Sequence, residues 1–263
     1  MGKLLFSFLF ILPIHLVAQI STGARYSALG NSTAALMGLE ALAGNPAGIT
    51  SVPNVAASLS FKNEWLSAPI QTNVLLLLPS KLAHGGLAAG IYETGGDFRE
   101  LQMAGTLGRR VNDRFSAGVR VNYRQLSFPG LDASTGLVSA DLGIQYQLRR
   151  HWVWGLEMVN PFNLSRKHGQ ELPMYKLGTH FSFSSQTSIA LQTAYSARYG
   201  SDFTLGLEYG AWSWLLLRGG LSVNPFVHSV GAGVLIKRFV VDGAMRIHPQ
   251  LGLSPQISLG YAL

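Results

Sequence analysis

The chain has 263 residues, no cysteine, 13% charged residues, 30 glycines and a formal net charge of +7. The missing cysteines exclude disulfide stapling, and a charged fraction near half the roughly 25% of soluble domains argues against an ordinary water-facing surface. The positive charge invites nucleic acid as a partner, but the first residues point to export and make that partner unlooked for.

Residues 1–18 read as a secretory signal peptide: Lys3, the apolar run "LLFSFLFILPIHLV", then Ala18 before Gln19. Pro13 and the shortness of the run argue against a permanent membrane helix, and no later stretch reaches the 18 or more apolar residues that a spanning helix needs. An exported, charge-poor, Gly-rich chain of this kind predicts a transmembrane β-barrel.

Residues 19–52 do not alternate like strands and are expected to form an N-terminal hatch or plug. "NSTAALMGLEALAG" (31–44) predicts a short helix, with Asn31 and Ser32 as N-caps and Gly44 as the stop. Asn45-Pro46 then makes a turn, and Gly48 permits backbone angles closed to other residues. Leu36, Met37, Leu39, Leu42 and Ile49 need a dry place to pack, which a free tail lacks and a barrel interior supplies. Asn31, Leu36, Leu39, Leu42, Asn45, Pro46 and Gly48 are the candidate gate residues.

Residues 53–263 alternate with period two. In "FSAGVRVNYRQ" (115–125), Phe115, Ala117, Val119, Val121 and Tyr123 share one face, and Ser116, Gly118, Arg120, Asn122 and Arg124 share the other. Such runs predict about fourteen strands: 54–64, 70–79, 84–93, 98–109, 114–125, 136–148, 151–160, 174–184, 186–196, 202–211, 213–223, 228–237, 238–247 and 255–263. Each has roughly the nine to eleven residues that a tilted strand needs to span a bilayer. The architecture expected is an all-β, antiparallel up-and-down barrel; a soluble β-sandwich rarely needs so many similar hairpins.

Alternate connections read as short ("RRVNDR", "LRRH", "SSQ", "GAW", "KRF") and long ("SFPGLDAST", "NPFNLSRKHGQELP", "HPQLGLSP"), which places the short set in the periplasm. The short turns hold Lys81, Arg109, Arg110, Arg114, Arg149, Arg150, Lys237 and Arg238. These cations either meet anionic lipid headgroups or simply make polar turns. Trp65, Trp152, Trp154, Trp212 and Trp214, near strand ends, fit interfacial girdles.

"GARYSALGNSTAAL" followed by "NPAGI" resembles the N-terminus of FadL/OmpP1-type outer-membrane proteins and their PorV/PorQ-like relatives in Bacteroidota. The tail from "LRGGLSVNPF" to "LGYAL" resembles small barrels of that phylum. The resemblance implies a fourteen-stranded barrel with an N-terminal hatch in the outer membrane of a Gram-negative bacterium, surrounded by its lipids and lipopolysaccharide. FadL-type transporters capture long-chain fatty acids and similar hydrophobic compounds, and their large outer loops help form the first binding site, whereas here the longest outer loop is about 160–173. PorV-type relatives bind proteins of the type IX secretion machinery.

The inward face is expected to carry Arg120, Arg124, Asp141, Glu157, Lys176, His180, Glu208, Arg218, Asp242 and Arg246, with Lys62, Glu64 and Glu100. Hairpin register sets Arg120 opposite Asp141, and Glu208 diagonal to Arg218. Pairing is the default role of such charges, since an unpaired charge in a dry lumen is unfavourable. Small inward residues (Gly143, Gly178, Gly206, Gly231, Gly233) leave space for the hatch or for a narrow channel. Without G-x-S-x-G, H-x-x-x-H or H-E-x-x-H spacing, no catalytic residue, metal site or cofactor is expected. The expected function is a non-enzymatic conduit for a small hydrophobic ligand, gated near 31–49; the alternative is a barrel that binds secretion or surface-assembly proteins.

Overall fold

The computed structural model describes residues 22–64, 70–94, 98–128, 130, 133–162, 164 and 172–263. The expected signal peptide, Trp65 and most of the 160–173 connection lie outside these residues. Fourteen strands follow one another: β1 Ala56–Asn63, β2 Ile70–Leu78, β3 His84–Thr94, β4 Phe98–Arg110, β5 Phe115–Phe128, β6 Ala133–Arg149, β7 Trp152–Val159, β8 Met174–Ser182, β9 Thr187–Ser196, β10 Gly200–Trp212, β11 Leu215–Val223, β12 Phe226–Ile236, β13 Phe239–His248 and β14 Gly252–Ala262. Each pairs antiparallel with its sequence neighbours, and β1 also pairs with β14, so the sheet closes into a barrel. Closure leaves no strand edge and satisfies the ladder hydrogen bonds within the wall, the condition for a sheet to stand in hydrocarbon.

The two faces differ in chemistry as the alternation predicts. On β4, Met103 and Leu107 point outward, 48% and 60% exposed, while Glu100, Gln102 and Thr106 point inward and are buried. Val121, Leu177, Leu207, Val230 and Leu259 continue the outward apolar band. Aromatics flank it at both rims. At the rim where β1 begins (the lower rim) lie Tyr146, Trp154, Phe183, Trp212, Trp214 and Phe239; at the opposite, upper rim lie Phe61, Tyr123, Tyr175, Tyr195 and Phe203. An aliphatic band between two aromatic girdles is the exterior of a transmembrane barrel.

Two expectations are corrected. The long upper connections 126–135 and 248–255 are mostly strand: β5 runs to Phe128, β6 starts at Ala133 and β14 at Gly252, with pairs such as Phe128↔Ala133 and His248↔Gly252 extending the ladders. Complementary residues were available to pair, and a paired backbone is favoured over a loop.

The helix expected over 31–44 does not form either. The segment has a short helix earlier, α1 (Ala24–Ala28), and 3-10 turns at Leu39–Leu42 and Pro46–Ser51. Asn31 (φ 60°) and Gly38 (φ 130°) take left-handed angles that a helix excludes. The segment lies inside the barrel, where wall side chains bond its backbone directly and replace helical hydrogen bonds. Its apolar residues form small cores with the wall: Leu42 and Ile49 with Leu75, Leu77, Ala88 and Ala104; Tyr26, Leu29 and Leu36 with Ala190; Ala24 and Ala28 with Ala244. This accounts for "VLLLL" in β2, whose Val74 and Leu78 face outward while Leu75 and Leu77 face the segment.

Candidate functional site

The site is the lumen and the segment 22–52 within it. Glycines on nine strands leave the space for that segment. A Cβ at Gly155 would stand 1.8 Å from the Ala34 carbonyl oxygen, one at Gly143 2.0 Å from Asn45 Oδ1, and one at Gly220 2.2 Å from Gly30 N. Gly86, Gly108, Gly118, Gly178, Gly206 and Gly231 meet the segment in the same way. Of the five small inward residues named from the sequence, four therefore house the segment, while Gly233 lies under the Arg218–Asp242 pair.

Asn45, fully buried, is the central polar anchor. Its amide nitrogen donates to the carbonyls of Ala34 (2.6 Å), Leu156 (3.1 Å) and Ile144 (3.2 Å), and its oxygen accepts from Ala47 N (3.0 Å). It thus ties the segment to itself and to the backbones of β6 and β7. Pro46 starts the second 3-10 turn and packs over Gly118 and Gly143. Gly48 lies against the Leu36 carbonyl, and its own carbonyl accepts from Gly38 N. Asn31 accepts from Thr22 Oγ1 at 3.1 Å. Leu36 and Leu42 are buried, whereas Leu39 is only partly so.

Two charge clusters grip the segment. In the first, Arg120 holds Asp141 at 2.7 Å, as expected from register, and donates through Nη1 to the carbonyls of Leu42 (2.9 Å) and Gly44 (2.7 Å). Glu157 accepts from Thr33 Oγ1 at 2.6 Å and pairs with Lys176 at 3.3 Å. In the second, Arg25 of the segment makes a two-point contact with Glu208 (3.0 and 3.1 Å) and donates to the Met37 carbonyl. Glu208 also pairs with Arg218 (2.7 Å), which pairs with Asp242 (2.6 Å). Glu208 and Arg218 stand directly opposite each other rather than diagonally.

The remaining expected charges sit elsewhere. Arg124 pairs with Glu100 at 2.6 Å, and Lys62 with Glu64, in the upper lumen. Arg246 faces inward between Ser229 and Ser254, and His180 lies near the lower rim; neither has an ion pair among the described residues.

Gln145 and Gln192 were not foreseen. Gln192 Oε1 accepts from the backbone N of Thr33 (2.8 Å) and Ala34 (2.9 Å), and Gln145 Nε2 donates to the carbonyls of Ala34 (3.2 Å) and Leu36 (3.1 Å). The available signal was an inward amide, able to donate and accept, on strands facing a segment whose backbone lacks regular partners. Arg25 belongs to the N-terminal motif, and only the tertiary structure brings it into the charge system, against Glu208.

Titration is perturbed within the segment. Burial raises the Glu40 carboxyl to about 7 against the opposing pull of Arg25. The Glu40 carboxylate lies against Gly23.

These geometries define an outer-membrane-type β-barrel whose lumen holds residues 22–52 of the same chain. No family model and no curated protein matches the sequence. Solved structures resemble the fold. A Pseudomonas putida toluene transporter, TodX, superposes with TM-score 0.70 at 13% identity, over 94% of this chain and 99% of that one. A Pseudomonas aeruginosa FadL homologue gives 0.67 at 11% identity, over 94% and 99%. The Acinetobacter baumannii outer membrane protein Omp33 gives 0.53 at 6% identity, over 80% and 97%. The fold is thus one that FadL-type outer-membrane barrels share.

Proposed function

We propose that the protein is a Gram-negative outer-membrane conduit for a small hydrophobic ligand, closed by residues 22–52 and opened by their displacement. The observation that carries this reading is a lumen filled by residues 22–52, which precede β1 and touch the wall through side-chain hydrogen bonds, ion pairs and small apolar cores rather than as a strand of it. The likeness of fold to TodX, a toluene transporter, supports the ligand class. Asn45 and Pro46 act in this reading as the hinge of closure, and the Arg25–Glu208 and Arg120–Leu42/Gly44 contacts as its holds. The test is entry of the hydrophobic fluorophore N-phenylnaphthylamine into cells whose outer membrane carries the chain. Wild-type protein should raise the entry rate over cells without it, and Asn45→Ala should change that rate several-fold. Equal rates in all three strains would sink the conduit.

A second reading is favoured by one observation: Arg120, which bonds the segment, and Arg218, which bonds it through Glu208, are themselves fixed in buried ion pairs of the wall, so the groups that hold the segment do not move readily. A permanently sealed barrel would serve as a dock for secretion or surface-assembly proteins. Its signature is a cross-linked protein partner lost when residues 160–173 are altered, with fluorophore entry unchanged.

A further inference from the structure

Positive charge is concentrated on one rim. Among the described residues the lower rim carries eight exposed cations and a single acid, Asp113; the remaining charged residues of the sequence are twelve of each sign. Five of the eight cluster on two adjacent turns: Arg109, Arg110 and Arg114 around the β4–β5 turn, and Arg149 and Arg150 at the β6–β7 turn. Gln147 clamps these turns together, its backbone N donating to the Arg114 carbonyl at 2.7 Å and its side-chain amide to the Arg150 carbonyl at 3.1 Å. Among the described residues none of the five has a carboxylate partner; only Arg110 makes a side-chain contact, with the Thr50 carbonyl at 3.4 Å. The mid-lumen clusters, by contrast, match cation to acid.

Position identifies the counter-charge. Arg149 pairs in register with Trp152, beside Trp154, and Arg114 precedes Phe115, which pairs with Tyr146. Interfacial aromatics mark headgroup level. Side chains one or two residues beyond them reach the phosphate layer, where a guanidinium binds phosphate through paired N–H donors. We propose that this arginine cluster is a binding site for the phosphate headgroups of anionic phospholipids in the leaflet at the lower rim. The proposal needs the membrane placement of the barrel and is independent of whether the lumen conducts.

The experiment measures tryptophan quenching of the full chain, folded in mixed micelles, by dibrominated phosphatidylglycerol and by dibrominated phosphatidylcholine. Each surface arginine adds about 1 kcal/mol toward an anionic leaflet, about fivefold in affinity. Phosphatidylglycerol should therefore be preferred by fivefold or more, and the preference should shrink as salt rises. The variant with Arg109, Arg114, Arg149 and Arg150 all changed to Gln should lose the preference, while Arg198→Gln, at the opposite rim, should keep it. Should the fourfold variant fail to show the heat-dependent gel shift of a folded barrel, Arg149→Gln with Arg150→Gln should still lose part of it. Equal quenching by the two lipids would overturn the proposal. So would an unchanged preference in the variants, or a rim that captures an acidic protein with no lipid preference.

Discussion

At the scale of single residues, the lumen shows how little space separates wall from segment. Gly155 faces the Ala34 carbonyl, which an added methyl would strike. Gly155→Val should leave the strands paired and push residues 33–36 away. Overpacking of this kind costs about 1–3 kcal/mol, to be read as a lower urea midpoint in detergent, with increased cleavage of the segment by added protease. Asn45→Ala removes one amide that serves three carbonyls, and unsatisfied buried groups cost ~1–3 kcal/mol. Asn45→Asp should be at least as damaging, because a carboxylate cannot donate to them. Glu40 sets a pH dependence. Its carboxyl rises to about 7 from 4.5 when buried, so the closed state binds a proton more tightly than the released one. The hold on the segment should therefore weaken as pH climbs from about 4.5 to 7. Protease cleavage of the segment should be faster at pH 8 than at pH 5 in wild type, and flat across that range in Glu40→Gln.

At the scale of elements, the segment is an irregular chain held by side chains of the wall, and the failure of the expected 31–44 helix follows from that. Ala, Leu and Met favour a helix in isolation. Inside the lumen, however, a helix would hide its peptide groups from Gln145 and Gln192, and would take the Leu42 and Gly44 carbonyls away from Arg120. The irregular path satisfies both. Arg25 links α1 to β10, and through Glu208 and Arg218 to β13. Arg25→Met should destabilise closure by on the order of 2 kcal/mol. That is below the roughly 3–5 of a fully buried pair, since the Arg25 side chain retains 24% exposure. Adding Glu208→Gln to Arg25→Met should cost less than the two single losses combined, as a double-mutant cycle on unfolding midpoints will reveal. Simple additivity would mean that the pair contributes nothing to holding the segment.

At the scale of the whole molecule, wall and segment are separable. The fourteen strands satisfy their ladders among themselves, so a chain lacking residues 23–52 should still fold as a closed barrel, with a lower melting temperature because Leu75 and Leu77 lose their cover. It should conduct ions in planar bilayers where the full chain is quiet. A deletion variant no more conductive than the full chain would mean that other parts of the molecule close the lumen.

Strand number, strand centres and the inward or outward sense of each side chain were legible in the sequence. The side-chain period of a strand is two, and a bilayer punishes any polar residue on the outer face, so the pattern is nearly unbroken. The Arg120–Asp141 pair was legible for the same reason, since a hairpin fixes which residues face each other. The strand extensions at Phe128, Ala133 and Gly252 were not, because pairing at a ladder's end depends on the partner strand and not on local composition. The path of residues 22–52 was beyond local reading too. Its backbone partners, Gln145 on β6 and Gln192 on β9, are 109 and 158 positions away in the chain from residues they bond, and only closure of the barrel brings them there. The sequence by itself determined the wall, whose order is local and set by the solvent on each side. The tertiary structure alone decided how the segment fills the lumen, because that arrangement is a balance among side chains from distant strands, and no periodicity records it.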